Sequence, residues 1–214
     1  MRESLFRIVS TDGHRLSLVE GSAKTTNGAG QAFSTLLLRS TAAILNKLLS
    51  SSGAGWVQFS TCGNEQEFNL FVMPDGSGLI AKCGQGQFPN YENVMPKAPL
   101  EARVTFERDE LLDGLTKLSA TARKAQGSAV KFELSKSPAG IRSEANGTAN
   151  RVALQHARVS GKGRDIGFNH QYVTQYVKSL ETDTVSMLLY PPAVSEAVLF
   201  ESFRYRHLLM PLRD

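Results

Sequence analysis

VSTDGHRLSLVE, residues Val9 to Glu20, sets an acid, a glycine, a histidine and an arginine in a row between alternating apolar positions. Two readings compete for it. Asp12-Gly13, flanked by Ile8 on one side and by Leu16 and Leu18 on the other, is a strong hairpin signal, because glycine adopts positive φ without steric cost. In that reading His14 and Arg15 simply leave the turn. The catalytic reading needs a nucleophile, a base or a metal partner for His14. No HxH, HExxH or GxSxG pattern accompanies it, and His156, His170 and His207 stand apart in sequence. Spacing alone gives a turn and no enzyme.

The chain has 214 residues, 41% of them hydrophobic and 21% charged, with a formal net charge of +4. Such a length and composition bury a core in one or two domains. A positive surplus this small permits contact with an acidic polymer without requiring it. Cys62 and Cys83 have no CxxC spacing and no close histidine pair. They read as idle thiols of a reducing compartment, and no metal or cofactor is called for. MRESLFRIVS lacks the pattern of a signal peptide, and no apolar run approaches the ~18 residues of a membrane helix. The expectation is a soluble, cytoplasmic protein.

Three segments carry helical apolar spacing: RSTAAILNKLLSS with Ile44, Leu45, Leu48 and Leu49, ERDELLDGLTKLS with Leu111, Leu112, Leu115 and Leu118, and NHQYVTQYVKSLE with Tyr172, Val173, Tyr176, Val177 and Leu180. Each fits a helix with one buried face. Alternating strands follow each one, through Val57 and Phe59, Val130 and Phe132, and Val185 and Met187. A strand also precedes the second and third, in ARVTF and RDIGF. The chain thus contains about three copies of one sheet-and-helix unit, roughly 60–70 residues apart, too long for an ordinary solenoid and suited to half-domains that pack in pairs. The fold class expected is α+β, built of about three half-domains, each an antiparallel sheet with one helix. Prolines at 89, 96 and 99 in FPNYENVMPKAPLEA mark the seam, giving domains 1–95 and 96–214.

VSTDGHRLSL closely resembles the ATDGHRL hairpin in the middle domain of bacterial sliding clamps, the beta subunits of DNA polymerase III. Three further blocks appear in the family's order. GQFPNYENVMPK is similar to its GRFPDYxxVxP segment, DIGFNHQYVTQYVKSL to IGFNxxYLLDxLxxL, and HLLMPLRD to the C-terminal xxxMPMRL. The resemblance covers nearly the whole chain and accounts for the repeats, since each clamp domain has two similar halves. It implies the DNA-clamp fold, with residues 1–95 as the second half of the middle domain plus linker and 96–214 as the C-terminal domain.

The resemblance also implies a protein that catalyses nothing. Family clamps close into a ring around DNA and dock Gln-, Leu- and Phe-rich peptides of polymerases and repair proteins in a groove. Carried over by position, the groove includes Thr11, Gly13, His14, Arg15 and Leu16, Pro89 and Val94, Asn169 and Tyr172, Val194 and Ser195, and Leu208, Leu209, Met210, Pro211 and Leu212. Apolar members would make the cleft, with Met adapting to varied partners, while Arg15 and Asn169 fix polar atoms of the peptide. Arg39, Lys47, Lys117, Arg123, Lys124 and Lys178 lie on or beside the helices and would meet phosphates of double-stranded DNA without reading sequence. A clamp loader is the further partner implied. Asp109, Glu110 and Asp113 suggest a metal-dependent nuclease as an outside alternative, although acids in a first helical turn are expected from the macrodipole.

Against the family pattern, the first domain and the first half of the second have no counterpart here. Asn93 stands where a basic residue is usual, Ala125 where a bulkier pocket residue stands, and Asp214 where the family ends in Leu. Three assemblies are open: a ring made by self-association, a non-ring module that competes for clamp-binding peptides or joins a fuller clamp, and an incomplete chain whose odd half-domain exposes a sheet edge and an apolar face.

Overall fold

The computed structural model describes residues 2–25, 34–53, 55–63, 67–192 and 196–212. In chain order the elements begin with β1 (Arg2–Thr11), β2 (Arg15–Thr25), α1 (Arg39–Ser52), β3 (Gln58–Cys62), β4 (Phe68–Val72) and β5 (Gly78–Lys82). They continue with β6 (Ala102–Glu107), α2 (Arg108–Ala122), β7 (Ala129–Glu133), β8 (Gly140–Ala145), β9 (Thr148–Ala153) and β10 (Arg158–Gly161). The last are β11 (Ile166–Asn169), α3 (His170–Ser179), β12 (Thr184–Leu189), β13 (Val198–Ser202) and β14 (Tyr205–Leu209). Compactness groups Met1–Thr26 with Tyr91–Asp214 and leaves Asn27–Asn90 as a second unit. The division at residue 95 concerns correspondence to family domains and is a different cut through the same chain.

In the larger unit an antiparallel sheet runs in the order β1-β2-β14-β13-β12-β6-β10, and a second runs β11-β7-β8-β9. Strand alternation gives the larger sheet two apolar faces. Val185, Met187, Val198 and Phe200 enter the main core, while the intervening Leu188 and Leu199 join Leu16, Leu18, Tyr190, Ala197 and Leu208 on the opposite face. The predicted stripes of α2 (Leu111, Leu115, Leu118) and α3 (Val173, Tyr176, Val177) bury in the main core, together with Val130, Phe132, Ile141 and Phe168 of the smaller sheet. Phe106, Phe132, Phe168, Phe200 and Tyr176 form an edge-to-face file with successive centroids 5.6–5.7 Å apart, the packing their quadrupoles favour. At the free edge, β1 leaves Leu5 90% and Ile8 62% exposed.

The smaller unit pairs α1 with the three-stranded antiparallel sheet β3-β4-β5. Asn69 is fully buried and ties the chain ahead of α1 to β4: the Thr35 hydroxyl donates to its Oδ1 at 2.9 Å. The stripe expected on α1 forms only in part, with Leu45, Leu48 and Leu49 half-buried. Thr41 is its one buried residue among those described, and Ile44 is 49% exposed. The physical reason is that the unit of α1 supplies no second helix among its described residues, whereas α2 and α3 cover each other.

His207 on β14 is 3% exposed, stacked on Tyr176 with ring centroids 4.5 Å apart, and its Nδ1 lies 2.8 Å from the Ser17 hydroxyl. Burial pushes its pKa from 6.5 down to about 4, with the Arg15 charge adding to the fall and Asp12 opposing it. Between pH 6.5 and pH 4 the unfolded chain therefore takes up a proton that the folded chain refuses, and stability drops as the solution is acidified through that window. By pH 4 the loss reaches about 3 kcal/mol. Urea midpoints measured from pH 7 to pH 4 should show this slope, and His207→Gln should flatten it. Phe132→Ala, which removes the ring between Phe106 and Phe168 in the aromatic file, should cost about 3–5 kcal/mol in the same assay.

Candidate functional site

The Asp12-Gly13 turn forms as the sequence requires. Gly13 has φ +88°, a conformation other side chains rarely adopt. The Asp12 carboxylate accepts from the backbone N–H groups of His14 and Arg15, each at 3.1 Å, and the Thr11 hydroxyl donates to the Arg15 carbonyl at 2.8 Å. Burial tends to raise the Asp12 pKa, but Arg15 and these N–H groups outweigh it and hold the carboxyl below its ordinary value. The turn is thus locked from inside, and His14 and Arg15 leave it in fixed directions.

Arg15 is held on three sides. Its Nε donates to Asp12 at 2.9 Å, its Nη1 donates to Gln175 Oε1 at 2.7 Å, and its guanidinium carbon lies 4.3 Å from the centroid of the Tyr172 ring. That stacking is a cation–π contact. The His14 ring also lies over Tyr172, at 6.4 Å between centroids. Tyr172 is placed by Asn169, whose Oδ1 caps α3 by accepting from the N–H groups of Gln171 and Tyr172, while its Nδ2 donates to the Gly127 carbonyl at 3.2 Å. The chain end threads through the same region. Met210 N–H donates to the His14 carbonyl at 3.1 Å, and Leu212 N–H donates to the Gly167 carbonyl at 2.8 Å. Gly127, beside the Leu212 side chain, has φ +63°, a conformation that side chains rarely adopt.

On the other sheet face Leu16 and Leu208 sit opposite each other in register and floor the second apolar cluster. Tyr91 and Met95 pack onto that cluster, and the Tyr91 hydroxyl accepts from Arg7 Nη1 at 2.7 Å. Val94, between them, stays 52% exposed, and Met210 beyond the end of β14 stays 42% exposed. The arrangement offers a polar clamp of His14, Arg15 and Tyr172 on one side of the sheet and free apolar surface on the other.

The structure brings together Thr11, Gly13, His14, Arg15, Asn169, Tyr172, Met210 and Leu212. Leu209 differs from expectation: its side chain is 1% exposed in the main core, leaving only its main chain to the site. Pro89 is an exposed residue of the Asn27–Asn90 unit. Val194 and Ser195 lie outside the described residues, as does Asp214. Of the basic residues, Lys117 pairs with Asp113 at 2.6 Å, while Arg123, Lys124 and Lys178 are exposed in the larger unit and Arg39 and Lys47 in the smaller. The three acids of α2 serve different ends. Asp109 meets Arg108, Asp113 meets Lys117, and Glu110 accepts from the N–H groups of Gln155 and His156. Gln175 and Gly127 had no sequence signal beyond their proximity to Tyr172 and the end of α2. The role of Asp12 was available in principle, as an Asx turn ahead of an arginine.

No family model matches the chain. Among curated relatives, the beta sliding clamp of Synechocystis sp. is 25% identical over 219 residues, covering 95% of this chain and 54% of the relative. That of Rickettsia bellii is 26% identical over 226 residues, covering 100% of this chain and 57% of the relative. Among solved structures, the Pseudomonas aeruginosa sliding clamp bound to griselimycin superposes with a TM-score of 0.81 at 21% identity, covering 98% of this chain and 55% of that one. The C. crescentus beta sliding clamp gives 0.80 at 24% identity, with 99% and 54% covered. The chain spans about half the length of the curated relatives it matches. Within that span it has the sliding-clamp fold and is similar in sequence to the beta sliding clamps, DNA polymerase III subunit beta.

Proposed function

We propose that the chain is a clamp-type docking protein of DNA replication and repair, working as a processivity factor or as part of one and catalysing no reaction. Residues 1–95 correspond in this reading to the second half of the clamp middle domain and its linker, and 96–214 to the C-terminal domain. Peptides of polymerases and repair proteins dock along the end of β14, with a clamp loader as a further partner. The observation that carries the reading is the fixed His14–Arg15–Tyr172 clamp, tied to Met210 through the main chain and set beside the floor made by Leu16 and Leu208. A site whose polar groups are already immobilised loses little entropy when a flexible segment binds. Exposed Arg123, Lys124 and Lys178 suit non-specific contact with duplex phosphates. A cytoplasmic location fits this role, and no helix among the described residues is long and apolar enough to cross a membrane.

A second reading is a non-ring module that joins a fuller clamp or competes for its peptides. The open β1 edge, with Leu5 and Ile8 uncovered, favours association of that kind.

Fluorescence anisotropy with a labelled Gln-Leu-Phe-type peptide tests the docking site. His14→Ala combined with Met210→Ala should weaken binding at least tenfold, and equal binding by both proteins removes the assignment. Duplex binding should fall steeply with added salt and again when Arg123, Lys124 and Lys178 are all changed to Ala. A signal indifferent to both would rule out the DNA role for these side chains.

A further inference from the structure

The larger unit shows how two sheet-and-helix repeats close on each other. The stripe of α2 is 0–1% exposed at Leu111, Leu115 and Leu118, because the α3 repeat covers it. Strands are exchanged as well. β6, ahead of α2, pairs with β12, which follows α3, and β11, ahead of α3, pairs with β7, which follows α2. The arrangement is reciprocal: each repeat lends the strand before its helix to the strand after the other's helix.

The smaller unit has the same construction with one side open. Residues 35–38 precede α1 as β6 precedes α2. On one side this segment is held by its own repeat, since Gly84 N–H donates to the Leu36 carbonyl at 2.9 Å, much as Lys162 N–H donates to the Glu101 carbonyl at 3.2 Å ahead of β6. The other side has no strand among the described residues. β3, which follows α1, is an edge of its sheet, where its counterpart β7 is paired on both sides. Leu37, Leu38 and Ile44 are 38%, 48% and 49% exposed.

We propose that this open side is a homodimer interface, in which α1 packs on α1 of a second copy and residues 35–38 of each copy pair with β3 of the other. The occupant follows from what the surface asks for. It needs an apolar helix stripe, a strand before that helix and a strand after it, all from one repeat. Of the three repeats in this chain, α2 and α3 already cover each other and only the repeat of α1 is uncovered. Because the exchange in the larger unit is reciprocal, a two-fold pair of identical repeats satisfies both copies at once. The apolar surface that a lone copy leaves in water supplies the driving force.

The test uses the whole chain and does not depend on the docking role. Light scattering on a sizing column at tens of micromolar protein should give twice the 23.3 kDa chain mass. Leu38→Glu with Ile44→Glu should return a monomer with an unchanged far-ultraviolet dichroism spectrum, since both side chains are half exposed and outside the core. Hydrogen exchange at the amides of β3 should be slowed at least tenfold in the wild type relative to that variant. A wild type that stays monomeric, including one that assembles only with another protein, overturns the proposal. So does a dimer that survives both substitutions, which would place the contact on another surface such as the β1 edge.

Discussion

The ladder between β14 and β2, running from Leu209 opposite Arg15 to Tyr205 opposite Val19, holds the candidate site in being. Its hydrogen bonds join the β1–β2 hairpin to a sheet built from strands that lie between Ala102 and Leu209. Everything offered to a ligand depends on that seam. Arg15 meets Tyr172, Met210 meets the His14 carbonyl, and Leu16 meets Leu208 only because β2 and β14 are in this register. A slip of one residue would send Leu16 and Leu18 into the face of Tyr176 and His207, and Ser17 into the second apolar cluster. Burial on both faces therefore fixes the register far more firmly than the ladder alone would.

Two apolar faces also explain why the site is divided. The main core takes the helices and the aromatic file, so residues leaving the turn toward that side meet α3 and become a polar clamp. The apolar cluster on the opposite face takes no residue from α2 or α3. It is finished by Val9, Tyr91, Met95 and Ala98 and keeps apolar surface at its margin. The polar and the apolar groups of the candidate site thereby lie on different sides of one sheet, with residues 210–212 running on from β14.

Much of this was legible in the sequence. The Asp12-Gly13 hairpin, the three helices and the alternating strands all appear where periodicity and turn chemistry place them, because those signals are local. The repeat was legible too, but not the way its copies pair: apolar stripes on α1 and α2 look alike in sequence, yet one is half exposed and the other buried, since burial depends on what lies opposite. Leu209 illustrates the limit within the site. A strand with apolar residues on both faces cannot announce that Leu209 enters the main core while Leu208 enters the second cluster. Gln175 was illegible for another reason, as its contact with Arg15 spans most of the chain and an exposed glutamine has no pattern of its own.

The long separation between β2 and its partner has a kinetic meaning. During synthesis the hairpin is complete once Thr25 has been added, but the strand that closes its inner edge ends 184 residues later, at Leu209. At roughly 5–20 residues per second, the hairpin waits on the order of ten seconds or more for β14 to cover its inner edge. Closing so distant a pair carries a high entropic barrier and places this sheet among slow, non-local folders. Mispairing with neighbouring chains therefore competes most strongly with folding before β14 emerges.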